Sequence, residues 1–318
     1  IVALAIVILT AVSCSKFTKI QKSNDYDYKL KMADEYFEKK IVSCYAGFSS
    51  FLIKGIKAKE IMEEIYDPLI KNKVPVVFTN IETAEMIKYA ANAFLVVKLS
   101  FINEISSLAE VLNANTDDVA LGIGLDSRIA PAFLNCGPGY GGSCFPKDTK
   151  AIIDIARKND QSLKIVEAAV AANERQKKRM IQNISKHMGN LDGKTIAVLG
   201  LSFKPDTDDM RDAPALDIIP ELIQLGASIR AFCPQGMKES QWRLGEFSQY
   251  IHYCNDEYDA CKLADALVIL TEWDIFKPLN LQQVKSMMKD GFLFDLRNIF
   301  TKNIHVRDLF KYFPVGQK

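Results

Sequence analysis

The sequence predicts an α/β fold: a central long-helix domain followed by a Rossmann-like parallel-sheet domain. Three observations carry that reading. Residues 83–113 form one helical stretch with neither Pro nor Gly inside it. From Asp192-Gly193 onward, short apolar runs at 194–200, 228–232, 266–270 and 292–295 alternate with helix-length segments, the pattern of crossover connections and a mostly parallel sheet. The composition is that of a globular chain: 318 residues, 48% hydrophobic and 25% charged, with 40 Lys+Arg against 39 Asp+Glu. Such a length suggests about two domains of roughly 150 residues.

Several function classes are disfavoured at once. A net charge of +1 and the lack of a basic stripe give no footprint for nucleic acid. No apolar run of about 18 residues offers a transmembrane helix. Seven cysteines are too few for a disulfide scaffold in this length, and none has metal-ligand spacing. With three histidines in the chain, a His-based catalytic or metal site is disfavoured, and no metal is expected.

Taken in order, residues 1–12 are a short apolar block followed by Ser13-Cys14 and a polar stretch. The block reads as the hydrophobic part of a signal peptide cut at its start; a hydrophobic strand or helix with a buried cysteine is the alternative. Apolar residues at Ile61, Met62, Ile65, Leu69 and Ile70 give helical spacing within 57–70, which Pro68 disrupts. Residues 74–78 are a short strand candidate. The helix at 83–113 has apolar residues on nearly every face, so burial on most sides is expected. At about 30 residues it spans roughly 45 Å and is expected to bridge two domains or two subunits. Residues 113–135 are turn-rich, 136–143 form a glycine-rich loop, and 150–187 return to helical periodicity. Residues 194–200 (KTIAVLG) are a buried strand ending in glycine, 213–225 a helix and 228–232 the next strand.

The chemistry concentrates in Gly137-Pro-Gly-Tyr-Gly-Gly-Ser-Cys-Phe-Pro-Lys-Asp148. Four glycines in six positions let the backbone approach a ligand closely. They are followed by the Cys144 thiol, the Lys147 ammonium and the Asp148 carboxylate. A thiolate is a strong nucleophile, though a cysteine also serves as a small buried hydrophobe. Upstream, Lys88 and Asn92 share a helix face. They suit a donor pair for a developing oxyanion, or a snorkelling lysine beside an exposed amide. Downstream, Phe203-Lys-Pro-Asp-Thr-Asp-Asp-Met-Arg211 follows the first strand of the sheet. Lys204 and Arg211 sit there where open parallel sheets bind phosphate, or the segment is a solvated charged loop. The turn Gly200-Leu-Ser-Phe-Lys-Pro lacks the G-x-G-x-x-G fingerprint.

Three segments in this order, Ala84–Phe94, Gly139–Asp148 and Ala197–Arg211, resemble the UDP-glucose/GDP-mannose dehydrogenase family. The match covers roughly Gly55 to the C-terminus. The resemblance implies oxidation of a sugar C6 hydroxyl to a carboxylate, with two NAD per turnover and UDP-glucose or a related nucleotide sugar as substrate. It implies that Cys144 attacks the intermediate aldehyde, that Lys88 and Asn92 stabilise oxyanions, and that Asp148 orients or activates water. Substrate contacts are implied for Lys88, Phe133, Leu134, Asn135, Cys136, Gly137, Gly141 and Lys204, and cofactor contacts for Lys147 and Arg211. Arg128 matches an arginine that reaches the active site of a neighbouring subunit, with the 83–113 helix as the core of a homodimer.

The resemblance has a gap. Family members begin with an NAD-binding Rossmann domain carrying G-x-G-x-x-G, and residues 1–82 show neither that fingerprint nor Asn-Pro-Glu-Phe-Leu-Arg-Glu-Gly. Residues 14–37 instead resemble the start of a tetratricopeptide lipoprotein of the outer-membrane β-barrel assembly machinery. The expected organisation is therefore a lipoprotein-like leader over 1–50, a remnant of the NAD-binding domain over 51–82, a central helical domain over 83–190 and a UDP-sugar domain over 191–318. The join lies between about Lys40 and Gly55, as in a chimera. The chemistry requires cytoplasmic NAD and UDP-sugar, so a cytoplasmic location is expected. A non-catalytic nucleotide-sugar-binding or dimerisation module, or a periplasmic lipoprotein with an enzyme-like passenger, are the competing readings.

Overall fold

The computed structural model describes residues 5–7, 50–52, 64, 66–67, 71 and 77–317. The chain divides into two compact units, Ile1–Ala91 and Asn92–Lys318. The first contains a three-stranded sheet of β1 (Ala5–Val7), β2 (Ser50–Leu52) and β3 (Val77–Thr79). Strand β2 runs antiparallel to β1 and parallel to β3, with Phe51 opposite both Ile6 and Phe78. Of the apolar block read as a signal sequence, only Ala5–Val7 are described, and they are strand. The rest of the 1–40 stretch, the join apart from Ser50–Leu52, and most of the helical spacing at 57–70 lie outside the described residues.

Helix α1 runs over Ile81–Leu112. Its start is capped by Asn80, whose side-chain oxygen accepts from the Thr83 N–H at 2.9 Å, satisfying one of the donors a helix leaves open. In the second unit α1 buries Asn92, Ala93, Val96, Ser100, Ile102, Asn103, Ser106 and Ala109. The expectation of burial on most sides needs correction: Phe94, Phe101, Leu108 and Leu112 are all exposed. The first three recur every seven residues, which aligns them along one face of a helix.

After α1, Asn115 caps α2 (Thr116–Gly124), accepting from the Asp117 N–H at 2.9 Å. The helical periodicity expected over 150–187 is carried by two helices, α3 (Phe145–Lys158) and α4 (Lys164–Met188). The break falls at Asn159-Asp160, where Asp160 adopts φ 55°. Asn and Asp tolerate this left-handed conformation better than most residues.

The sheet follows as β4 (Thr195–Leu199), α5 (Ala215–Gln224), β5 (Ser228–Phe232), α6 (Met237–Arg243), β6 (Ile251–Tyr253), α7 (Glu257–Cys261), β7 (Ala266–Ile269), α8 (Leu281–Met287), β8 (Phe292–Asp295), α9 (Val306–Leu309) and β9 (Lys311–Pro314). Its order is β6-β5-β4-β7-β8-β9, and every neighbouring pair is parallel. Counting these six strands along the chain, that is the 3-2-1-4-5-6 order of a doubly wound sheet. Central strands read as apolar runs because helices cover both faces; all of β7 is buried, and so are Ile196 to Leu199 of β4. The strand order reverses between β4 and β7, and ligands of such sheets bind beyond the carboxyl ends of the strands at that point. Residues 92–190 and the sheet share one compact unit. The C-terminal segment ties them together, with the Gly316 carbonyl accepting from Thr116 Oγ1 at 2.8 Å and its N–H donating to Glu110 Oε1 at 2.8 Å.

Candidate active site

Cys144 stands at the N-cap of α3 and is exposed. Pro146 occupies the first turn, where a missing N–H costs nothing and a fixed φ favours the helix. The Cys144 carbonyl accepts the Asp148 N–H at 2.8 Å, so thiol and carboxylate are held one helical turn apart. Ser143 Oγ lies 3.7 Å from Cys144 Sγ.

Asp148 is fully buried. A buried carboxylate is costly unless its oxygens are hydrogen-bonded or paired. Here Asn92 Nδ2, itself buried on α1, donates to Oδ2 at 2.6 Å, and Lys147 Nζ contacts Oδ1. The structure thus brings together three of the residues singled out in the sequence: Asn92, Lys147 and Asp148. Lys88, half-buried on α1 four residues before Asn92, belongs to the first unit, where its Nζ lies 6.0 Å from the centre of the Tyr89 ring.

The glycines of the loop have separate causes. A Cβ on Gly141 would fall 2.1 Å from the Asp212 carbonyl oxygen, and one on Gly142 (φ 87°) would fall 2.8 Å from the Phe203 ring. The Gly142 N–H donates to the Arg211 carbonyl at 2.7 Å. Gly141, expected to face the sugar nucleotide, is glycine here because the 201–212 loop passes directly against it. That loop leaves β4 at Gly200, whose added Cβ would meet Thr271 at 2.5 Å, and Thr271 Oγ1 donates to the Ser202 carbonyl at 2.5 Å. Lys204 and Arg211 therefore lie beyond the carboxyl end of β4, at the reversal of strand order. Lys204 is half-buried, with Nζ 5.5 Å from the Phe203 ring centre. Arg211 forks onto Asp209, with contacts of 2.9 and 2.7 Å. Burial pushes the Asp209 carboxyl up, but the Arg211 hydrogen bonds outweigh it and hold the group below the usual carboxylate range.

Residues 128–137 lead into the loop. Lys98 on α1 donates to the Ile129 and Ala130 carbonyls at 2.9 and 3.1 Å, and burial lowers its pKa. Arg128 is exposed and forks onto Asp126 at 3.0 and 2.6 Å. That hydrogen bonding holds the Asp126 carboxyl below its ordinary value. Phe133 adopts φ 65°, a conformation of real strain for a bulky side chain, and its ring meets Phe145 edge-on at 6.0 Å. Leu134 and Cys136 are buried and Asn135 is exposed. The Cys136 thiol faces the C-terminal segment, 3.5 Å from the Val315 carbonyl, so a substrate contact at this position falls to its backbone.

Residues that carried no sequence signal also hold the site. Asn103 on α1, with Asn173 and Gln176 on α4, are buried amides bonded to the backbone of Gly137 and Tyr140. Arg297, just after β8, approaches Gly137: a Cβ there would lie 3.2 Å from Nη1. Asn173 and Gln176 stand three residues apart on α4, and that spacing alone does not say which way they face. Among the described residues one trio, His252, Cys254 and Asp259, groups potential metal ligands. Its carboxylate is already taken by Arg230, Lys262 and Asn255. Among these residues too, no helix is long and apolar enough to cross a membrane.

Residues 82–175 match the central domain of the UDP-glucose/GDP-mannose dehydrogenase family, and residues 197–302 match its UDP binding domain. A UDP-glucose 6-dehydrogenase of Rhizobium meliloti is 46% identical over 262 residues, covering 82% of this chain and 59% of its own length. The chain thus spans about three fifths of that relative. A UDP-glucose 6-dehydrogenase of Rickettsia bellii is 37% identical over 310 residues, covering 96% of this chain and 71% of its own length. This alignment extends into the residues before Gly55, further than the motifs alone carry the resemblance. The solved UDP-glucose dehydrogenase of Pyrobaculum islandicum superposes with a TM-score of 0.73 at 28% identity, covering 84% of this chain and 58% of that one. The chain belongs to the UDP-glucose/GDP-mannose dehydrogenase family.

Proposed function

We propose that this chain serves the NAD-dependent oxidation of UDP-glucose to UDP-glucuronate. The observation that carries the reading is the exposed Cys144 thiol at the start of α3, one turn from a buried Asp148 that is bonded to the buried Asn92. In this reading Cys144 attacks the C6 aldehyde to give a thiohemiacetal. Its oxidation leaves a thioester, and water then hydrolyses the thioester, freeing the carboxylate and the thiol. A thiol suits both roles, as nucleophile and as leaving group. Asn92 Nδ2 carries two protons and gives one to Asp148, leaving the other for an oxyanion. The family resemblance gives Lys88 the part of a second oxyanion donor. Asp148 accepts a proton from water as the thioester is hydrolysed.

When bound, NAD supplies the hydride acceptor for both oxidations, two molecules per turnover. Lys147 and Arg211 offer cations to such an anionic dinucleotide. The turn after β4 gives no pyrophosphate cradle, because Gly200 backs onto Thr271 and the next helix, α5, starts only at Ala215. The described residues fit one edge of the dinucleotide rather than a complete seat. The substrate side is better furnished, with Lys204 at the sheet's carboxyl edge and Phe133, Leu134, Asn135, Cys136, Gly137 and Gly141 along one loop. Arg128 completes the site of a second copy, and the exposed stripe on α1 is the core of the homodimer. A cytoplasmic location follows from the two substrates.

Absorbance of NADH in a mixture of UDP-glucose and NAD tests the reading: two NADH should form per glucuronate, and Cys144→Ser should stop the second oxidation. UDP-glucose binding without any NADH would favour the second reading, a non-catalytic nucleotide-sugar-binding and dimerisation module. For residues 1–40 the reading is a lipoprotein-like leader joined before Gly55. One continuous, expressed frame across the locus, read by long-read sequencing, would overturn it.

A further inference from the structure

We propose that Asn103, Asn173 and Gln176 are positioning residues that template the loop carrying Cys144; this rests on the reading of Cys144 as the nucleophile. Residues 137–140 are all buried, yet they belong to no strand, and buried backbone groups need partners. At Gly137 and Tyr140 three side-chain amides supply them. The Gly137 N–H donates to Asn103 Oδ1 at 2.9 Å, and its carbonyl accepts from Gln176 Nε2 at 2.7 Å. Asn173 alone closes on both backbone groups of Tyr140, accepting from its N–H at 2.8 Å and donating to its carbonyl at 3.2 Å. These are the bonds a neighbouring strand would make, delivered by planar groups of fixed orientation. The loop is shaped to receive them. Gly139 sits at φ 118°, and a Cβ there would lie 2.9 Å from Asn173 Oδ1.

Helix α1 then acts as a ruler. Asn103 holds the Gly137 end of the loop, and Asn92 holds the Asp148 end. They are eleven residues apart, so they share one face of α1 about 16 Å apart. Cys144 lies between these two anchors. The Tyr140 ring, just beyond the Asn173 clamp, meets the Phe145 ring edge-on at 6.0 Å and carries the constraint to the residue after the thiol. Losing the clamp therefore displaces the nucleophile while leaving the sheet intact.

The test uses the full chain with Asn173→Ala and Gln176→Ala, and with Gln182→Ala, an exposed position on the same helix, as control. Amide hydrogen exchange over 137–144 should rise about tenfold or more in the clamp variants, the effect of losing a buried hydrogen bond, with β4 and β7 unchanged. The rate of Cys144 alkylation by iodoacetamide at fixed pH, read by peptide mass, should change about threefold or more. kcat with UDP-glucose and NAD should fall about tenfold with KM nearly constant, as for lost alignment. Should the alanine variants unfold globally, Gln176→Glu keeps the shape without the donor and must give the same local changes. Exchange and alkylation equal to the Gln182→Ala control would overturn the proposal, and so would an unchanged kcat in variants of an active parent. A parent that never turns over sinks the activity reading alone, since exchange and alkylation still decide the clamp.

Discussion

Two cysteines eight residues apart show how far environment decides chemistry at the residue scale. Cys144 is exposed at a helix start, whereas Cys136 is buried and its thiol is pushed up to about 12, chiefly by burial. Brief iodoacetamide treatment at pH 8 should modify Cys144 and spare Cys136; equal labelling in the folded chain would contradict the structure. A raised acid pKa means that the folded state holds its proton more tightly than the unfolded chain, whose thiol titrates near 9.0. The Cys136 contribution to stability is therefore complete below pH 9 and is lost as pH rises towards 12. Urea unfolding between pH 8 and 11 should show this decline, shared with Cys254 at about 11 and Cys261 at about 12, and Cys136→Ala should flatten it in part. Asn92→Ala removes the hydrogen bond to buried Asp148 and should cost about 1–3 kcal/mol, measurable by the same unfolding. Cys144, Asn92 and Asp148 were legible in the sequence because reactive groups crowded into a short motif or recurred at helical spacing. Asn103, Asn173 and Gln176 were not, because an amide on a helix looks the same whether it faces water or a buried loop.

At the scale of elements, α1 shows the same limit in another form. Its existence was plain from thirty-odd residues without Pro or Gly, but periodicity cannot say which apolar face meets the chain's own core and which meets another molecule. The structure shows which face packs inward: Val96, Ile102 and Ala109 are buried, while Phe94 and Phe101 are 64% and 48% exposed. Phe94→Glu with Phe101→Glu should leave the fold intact and convert a dimer to a monomer in sedimentation velocity, since a charge on each partner cannot be buried unpaired at an interface. A parent chain that already sediments as a monomer would rule out the dimer. The glycine loop was legible as a loop, yet the purpose of its glycines was not, because the 201–212 segment that presses on Gly141 lies some sixty residues away in the chain. Gly141→Ala places a carbon on the Asp212 carbonyl, so overpacking of about 3 kcal/mol is expected, with the loss of thermal stability read by calorimetry. The break between α3 and α4 was missed for a local reason: Asn159-Asp160 carries no Gly or Pro to mark it.

For the whole molecule, the parallel sheet was legible from β4 onward because its buried strands are continuous apolar runs punctuated by helix-length gaps. Strand order was not, since register and neighbours are set by packing that no single run encodes. That order makes the strongest claim about binding. It reverses between β4 and β7, so the crevice such sheets use lies beyond the carboxyl ends of these strands, where the Lys204 loop follows β4. A nucleotide diphosphate seated there should bind the folded chain and not the unfolded one, stabilising it by about 2.7 kcal/mol at a hundredfold excess over Kd. For a unit of this size that corresponds to a rise in Tm of about 5–10 °C. UDP-glucose and UDP should both give such a shift in a thermal melt, and Lys204→Ala should remove most of it, whereas glucose alone should give none. The melt is independent of turnover, so it addresses the sheet's role even if no NADH forms. A chain that melts at the same temperature with and without saturating UDP-glucose would show that the crevice at the strand reversal is not where the nucleotide sugar sits.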